Sequence, residues 1–133
     1  MRLSFVTLYV RDIKKMTDFY AKAFSLKTRF VHDSGLYAEM ETGNTVLAFA
    51  QTKLAETIVS GGYIESSPEH KPANFQLGFE PADVKESVKA ALAAGASLVS
   101  PYEIKPWGWQ AAMLRDPEGN LVELARKLPS AGN

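Results

Sequence analysis

Few side chains in this sequence are of types that commonly carry out chemistry. The chain has two histidines and no cysteine, which excludes a thiol nucleophile, a thiolate metal site and a disulfide framework. His32 borders a turn and His70 lies in a polar segment, positions typical of solvated side chains rather than metal ligands. The serine-hydrolase, zinc-protease, phosphate-loop and dinucleotide motifs are also absent. The sequence therefore indicates a binding pocket more strongly than a catalytic centre.

Two tryptophans offer the clearest binding chemistry. Trp107 and Trp109 bracket Gly108 just before a predicted strand. Tryptophan provides the best aromatic face for stacking on a planar molecule or holding a cation. For each of them, packing in the core or in a subunit interface is the alternative interpretation.

A repeated chain plan positions these residues. Residues 5–31 read as strand, Asp-capped helix and strand, and residues 76–100 repeat this plan at an offset of 71 (83 − 12). Strands are predicted at 5–10, 27–32, 36–41 and 45–50, and again from Phe75 and at 97–100, 109–114 and 120–125. The periods predict inward-facing helix residues: Ile13, Met16, Phe19, Tyr20 and Ala23 in the first helix, and Val84, Val88, Ala91 and Leu92 in the second.

The segment between the repeats lacks the alternation of apolar and polar residues that is typical of a strand. We interpret residues 51–73 as a linker with one helical turn at 53–58. We therefore predict a single α+β domain over residues 1–133, built from module 1 (3–50), this linker and module 2 (74–126).

Charge and hydropathy limit the partners. Fifteen basic and fifteen acidic residues cancel, and the absence of a dense Lys/Arg cluster argues against nucleic acid. No apolar run approaches the ~20 residues that a membrane span needs. We expect a cytoplasmic protein whose partner is neither nucleic acid nor a membrane.

Two βαβββ units, the P-W-G segment (106–108) and the D-P-E-G-N-L-V-E-L ending (116–124) together resemble the vicinal oxygen chelate superfamily. Its members include glyoxalase I, extradiol dioxygenases and the bleomycin and mitomycin resistance proteins. The resemblance covers residues 3–126 and implies the glyoxalase/bleomycin resistance fold, in which two modules form a U-shaped mixed sheet around a concave pocket. It also implies a homodimer. It does not imply one activity, since a fold hosts several.

The resemblance also implies four metal-ligand positions, which fall on Phe5, Ala48, Gln76 and Glu123. Only Glu123 is an ordinary ligand, and the Gln76 amide binds metal weakly. A catalytic divalent ion needs three or more strong ligands. The sequence therefore predicts no metal and no cofactor. If the family position falls on Leu47 instead of Ala48, the side chain there is still no metal ligand.

Strand alternation outlines the pocket. If Phe5 and Gln76 point inward, so do Thr7, Tyr9 and Gly78, and the strand at 36–41 places Tyr37, Glu39 and Glu41 on the same side. This describes an aromatic and apolar trough with a few carboxylates, a composition typical of a small-molecule site. The predicted ligand-binding residues are Phe5, Thr7, Tyr9, Tyr37, Ala48, Gln76, Trp107, Trp109 and Glu123.

Glu123 has three interpretations that the sequence leaves open. It is a carboxylate that orients a ligand amine or hydroxyl, a general base, or the partner of a structural arginine such as Arg115 or Arg126. The favoured function is metal-independent sequestration of an aromatic or amphipathic small molecule, as in the drug-resistance proteins. The alternative is a glyoxalase-like lyase or isomerase, either metal-dependent or using Glu123 as base. An interaction module without a ligand is a third, weaker hypothesis.

Overall fold

A computed structural model describes residues 1–130 as an α+β protein. The chain divides into two compact units, Met1–Ser66 and the part that begins at Ser67. Each unit contains a four-stranded mixed sheet, which confirms the predicted fold class. Within the described residues, no helix combines the length and hydropathy needed to cross a bilayer.

The first unit follows the predicted order of elements. Its elements are β1 (Phe5–Val10), α1 (Ile13–Phe24), β2 (Thr28–Val31), β3 (Tyr37–Met40), β4 (Val46–Gln51) and α2 (Thr52–Ile58). The strand order is β1-β4-β3-β2, with β1 parallel to β4 and the other neighbours antiparallel. The short helix α2 lies where one helical turn was predicted in the linker.

Helix α1 covers one face of this sheet. Its first turn is capped by Asp12, whose carboxylate accepts a hydrogen bond from the backbone N–H of Lys15 at 3.0 Å. All five side chains of the predicted stripe are buried, as are Leu8, Ala38 and Met40 of the sheet, and Tyr20 packs against Phe49 with ring centroids 5.2 Å apart. Burial of this stripe supplies the main apolar contribution to the stability of the unit.

The second unit repeats the arrangement. Its elements are β5 (Gln76–Phe79), α3 (Val84–Ala94), β6 (Ser97–Ile104), β7 (Trp109–Arg115) and β8 (Leu121–Lys127), with strand order β5-β8-β7-β6. Strand β6 continues to Ile104, beyond the predicted end at residue 100. Two register irregularities in its pairing with β7 allow this extension past Pro101, which cannot donate to the ladder.

Helix α3 is capped as predicted, but one predicted core residue is not buried. The Asp83 carboxylate accepts a hydrogen bond from the backbone N–H of Glu86 at 3.1 Å. Val84 and Ala91 are buried and Val88 is partly buried, whereas Leu92 is 40% exposed. Since successive helical residues are separated by about 100°, Ala91 occupies the sheet-facing position and Leu92 lies beside it, toward solvent.

The turn between β7 and β8 is held by a buried carboxylate. The carboxylate of Asp116, only 2% exposed, accepts backbone hydrogen bonds from Glu118 at 2.9 Å and from Asn120 at 3.0 Å. Gly119 has φ +91°, and a Cβ there would lie 2.6 Å from the backbone carbon of Ser67. Local packing therefore explains why aspartate occupies position 116 and glycine occupies position 119 in the segment that resembles the family.

Candidate functional site

In each unit, the sheet has one face covered by its helix and an opposite face, here called the open face. The open face of the first sheet contains two rows of cross-strand neighbours, Thr7–Ala48–Glu39 and Tyr9–Ala50–Tyr37, with Phe5 beside Val46. Five of the predicted ligand-binding residues thus share this face: Phe5, Thr7, Tyr9, Tyr37 and Ala48. Phe5 is 63% exposed, while Ala48 is fully buried between its neighbours.

Tyr37 and Glu39 form a hydrogen-bonded pair on this face. The Tyr37 hydroxyl donates to Oε2 of Glu39 at 2.8 Å. The Nε atom of Arg29 lies 3.9 Å from Oε1 of Glu39 and 3.8 Å from Oε2 of Glu41. Burial, together with the hydrogen bond to Glu39 and its charge, raises the pKa of Tyr37 to about 12. The carboxylate of Glu39 is therefore already committed to partners in the protein.

Tyr63 is a member of this face that the sequence reasoning missed. Its ring packs against Tyr9 with centroids 5.0 Å apart. Its hydroxyl is buried without a hydrogen-bond partner in the part of the chain that the structure describes, and burial raises its pKa. Arg11 and Glu65, each two residues from one of these tyrosines, form an ion pair at 3.0 Å. The apparent linker thus contributes an aromatic side chain to the first open face.

The open face of the second sheet brings together Gln76, Gly78 and Glu123. Gly78 and Met113 are the cross-strand neighbours of Glu123 on its two sides, and Gln76 lies two residues before Gly78 on the same face. A Cβ added at Gly78 would meet nothing within 4 Å. The space beside the Glu123 carboxylate is therefore open.

The strand registers fix which positions of the two sheets are equivalent. Ala48 is the partner of Thr7 as Glu123 is the partner of Gly78, whereas Leu47 faces the helix and is buried. The four positions of the family metal site therefore carry a phenyl ring, a methyl group, an amide and one carboxylate. This set does not fit a catalytic divalent ion. Within residues 1–130, no three His, Cys, Asp or Glu side chains converge at a possible metal site.

Glu123 is not paired with an arginine, contrary to one of its three interpretations. Arg115 donates to the carbonyl oxygens of Ser67 and Gly119, both at 2.8 Å, and Arg126 lies 3.9 Å from Glu80. Among the described residues, the Glu123 side chain makes no hydrogen bond and no ion pair. Its partly buried carboxylate is thus available to a bound molecule.

A cleft of about 120 Å³ lies at this carboxylate. Its walls include Ser100, Lys105, Ala111, Met113 and Glu123. Lys105 forms an ion pair with Glu103, so these two charges offset one another. The remaining charge of the cleft is that of Glu123.

The two tryptophans occupy different environments. Trp109 begins β7 opposite Lys127 and is partly buried on the open face, in line with Met113. Trp107 lies in the turn between β6 and β7 and is 69% exposed. Neither belongs to the buried core of the unit. Trp109 is therefore the tryptophan that shares a surface with Glu123.

Comparison with known proteins identifies the family. The model of the glyoxalase-like domain family matches residues 3–129, and the chain belongs to this family. The uncharacterized protein YraH of Bacillus subtilis (strain 168) is 27% identical over 129 residues, covering 96% of this chain and all of YraH.

Solved structures agree with this assignment. A glyoxalase/bleomycin resistance protein/dioxygenase family enzyme from Burkholderia phytofirmans PsJN is 25% identical, with a TM-score of 0.79 over 96% of this chain and 100% of that one. TioX from Micromonospora sp. ML1 is also 25% identical, with a TM-score of 0.76 and the same coverage. These matches confirm the predicted superfamily and fold.

Proposed function

We propose that this member of the glyoxalase-like family is a metal-independent binding protein of the drug-resistance type, which sequesters an aromatic or amphipathic small molecule on its open sheet faces. The observation that carries the proposal is the chemistry of the four family metal positions, where Phe5 and Ala48 have no donor atom. A surface that has lost its ion ligands but retains a cleft and aromatic walls supports binding rather than ion-dependent turnover.

The aromatic composition of the open faces supports the class of ligand. Tyr9, Tyr37 and Tyr63 surround the alanine floor of the first face, and Trp109 lies on the second. Flat side chains with polar edges bury large apolar areas of a ligand while keeping a hydrogen-bonding group at the rim. Such walls favour planar molecules over small polar metabolites.

The competing function is a lyase or isomerase in which Glu123 is the base. Glu123 has no side-chain partner among residues 1–130, which favours this alternative as well as binding, since a base must reach the proton that it removes. However, its cross-strand neighbours Gly78 and Met113 cannot hold a developing negative charge. Among the described residues in the walls of the cleft, Lys105 is already paired with Glu103, which leaves the Ser100 hydroxyl as the one other polar side chain there. Proton abstraction also requires stabilisation of the developing charge, so the local residues support binding better.

Ligand capture is the direct test. Native mass spectrometry of the gently purified protein should detect a copurifying small molecule. A thermal-shift screen of planar antibiotics, dyes and aromatic metabolites should then raise the melting temperature, because a ligand present at 100 times its Kd stabilises the folded state by ~2.7 kcal/mol. Elemental analysis should give far less than one equivalent of Zn, Ni, Fe or Mn. Stoichiometric metal that is lost in Glu123→Ala, or turnover that requires a divalent ion, would refute the proposal.

A further inference from the structure

A row of side chains, here called the channel, crosses the open face of the second sheet from Trp109 to Glu123. Trp109, Ala111 and Met113 follow one another at two-residue spacing along β7, so their side chains share this face. The cross-strand partner of Ala111 is Ala125, and that of Met113 is Glu123. Two methyl groups therefore form the floor between the indole and the carboxylate.

The register fixes the length of this channel. Trp109 and Met113 are four residues apart on one strand, which corresponds to about 13 Å at the usual rise per residue. The cleft at the Glu123 end has a volume of about 120 Å³. Trp109 is not among the residues that line this cleft, so a ring system that stacks on Trp109 lies outside it and the chain that carries the ring extends toward Glu123.

The charges along the channel give it a direction. Glu123 has no partner among residues 1–130, and the nearby Lys105 is paired with Glu103. At the opposite end, the cross-strand partner of Trp109 is Lys127. A cationic group on a ligand is therefore attracted to the Glu123 end and repelled from the tryptophan end.

We infer that the ligand is an elongated aromatic amine, whose ring system stacks on Trp109 and whose single protonated nitrogen binds Glu123 about 13 Å farther along the strand. This inference rests on the proposed function and specifies its ligand. A neutral ligand that covered Glu123 would remove water from the carboxylate without replacing its hydrogen bonds, which is unfavourable. A protonated amine replaces them with a charge-assisted hydrogen bond. The alanine floor accommodates the connecting chain.

A series of naphthyl-alkylammonium ions with increasing chain length tests both the charge and the distance. Affinity is measured by titration calorimetry, with the corresponding naphthyl-alkanols as neutral controls of matched size. We expect the affinity of the ammonium ions to rise with chain length until the nitrogen reaches Glu123. At that length, the ammonium ion should bind about tenfold or more tightly than its alcohol, as expected for a hydrogen bond between charged groups.

Variants locate the two ends of the bound ion. Glu123→Gln should weaken the best ammonium probe about tenfold and leave its alcohol unchanged. The control Glu86→Gln, on the helix-covered side of the same unit, should affect neither. In a Trp107→Phe background the sole remaining tryptophan is Trp109, and both probes should quench its emission.

The outcomes separate this inference from the proposed function. Equal affinities for ammonium ions and alcohols, or full affinity in Glu123→Gln, would refute the charge assignment while the sequestration of small molecules stands. Failure of every probe to bind would also overturn the inference. The proposed function itself falls only if the broader thermal-shift screen finds no stabilising ligand and no molecule copurifies.

Discussion

Gly78 offers a sharp test of where a ligand binds, because its replacement should separate folding from binding. Gly78 lies in β5 opposite Glu123, its φ is outside the left-handed region, and a Cβ there would meet nothing within 4 Å. Glycine inside a strand is destabilising by roughly 0.5–1 kcal/mol relative to alanine, because it loses more conformational freedom on folding. Gly78→Ala should therefore increase the free energy of unfolding by about that amount.

Valine at the same position should preserve this gain and obstruct the site. β-branched side chains are favoured in strands, so Gly78→Val should be at least as stable as the parent protein. Its two additional methyl groups would occupy the open space beside the Glu123 carboxylate. A ligand that reaches this carboxylate should lose about 1.4 kcal/mol or more, a tenfold increase in Kd.

Urea denaturation and titration calorimetry measure the two effects separately. Gly43→Ala is the matched control, because Gly43 has φ +89° in a turn of the first unit, and the change should cost about 1–2 kcal/mol of stability there. It should not alter the Kd. Undiminished affinity in Gly78→Val would show that the ligand does not approach Glu123. A loss of more than 1 kcal/mol of stability would show that the space is not open.

Four further predictions concern stability, titration, binding and assembly. Asp116→Ala should destabilise the protein by about 3 kcal/mol or more in urea denaturation, since it leaves two buried backbone N–H groups without their acceptor. In an ultraviolet titration, Tyr37 should ionise at about pH 12, and its contribution to stability should be lost as the pH rises from about 10 to 12, because the folded state holds the proton more tightly than the unfolded one. Trp109→Ala should weaken an aromatic ligand by about 1–3 kcal/mol, whereas the exposed Trp107 should matter less. Light scattering at tens of micromolar protein should give the mass of a homodimer, and a monomer mass would contradict this expectation.

The fold was predictable because its signals are local. Asp12 and Asp83 each cap a helix through a hydrogen bond to a backbone N–H three residues later, and this geometry depends on only four residues. The alternation of side chains in the strands is equally local, so once the family resemblance had placed Phe5, Ala48, Gln76 and Glu123 inward, parity gave further residues of the open faces. The assignment of Gln76 and Glu123 to one face came from that resemblance and not from parity.

The remaining features depend on contacts distant in sequence. Tyr63 packs against Tyr9 because the chain folds back after α2. A segment without hydrophobic periodicity gives no sign of such a contact. The exposure of Leu92 depends on which side of α3 the sheet covers. Arg115 donates to the carbonyl oxygen of Ser67, which is 48 residues away in the chain. The sequence alone could not distinguish this contact from an ion pair between Arg115 and Glu123.

The two repeats place their carboxylates on different strands, and this difference explains why the second sheet should select the charge of a ligand. At one pair of equivalent cross-strand positions, the first sheet has Ala48 beside Glu39, and the second has Glu123 beside Met113. Glu39 is satisfied by the Tyr37 hydroxyl, so it contributes to local structure. The cross-strand neighbours of Glu123 are a thioether and a glycine, and its side chain has no partner among residues 1–130. A partly buried carboxylate without a partner is unfavourable unless a cation completes it, and the protonated amine of the proposed ligand would supply that cation.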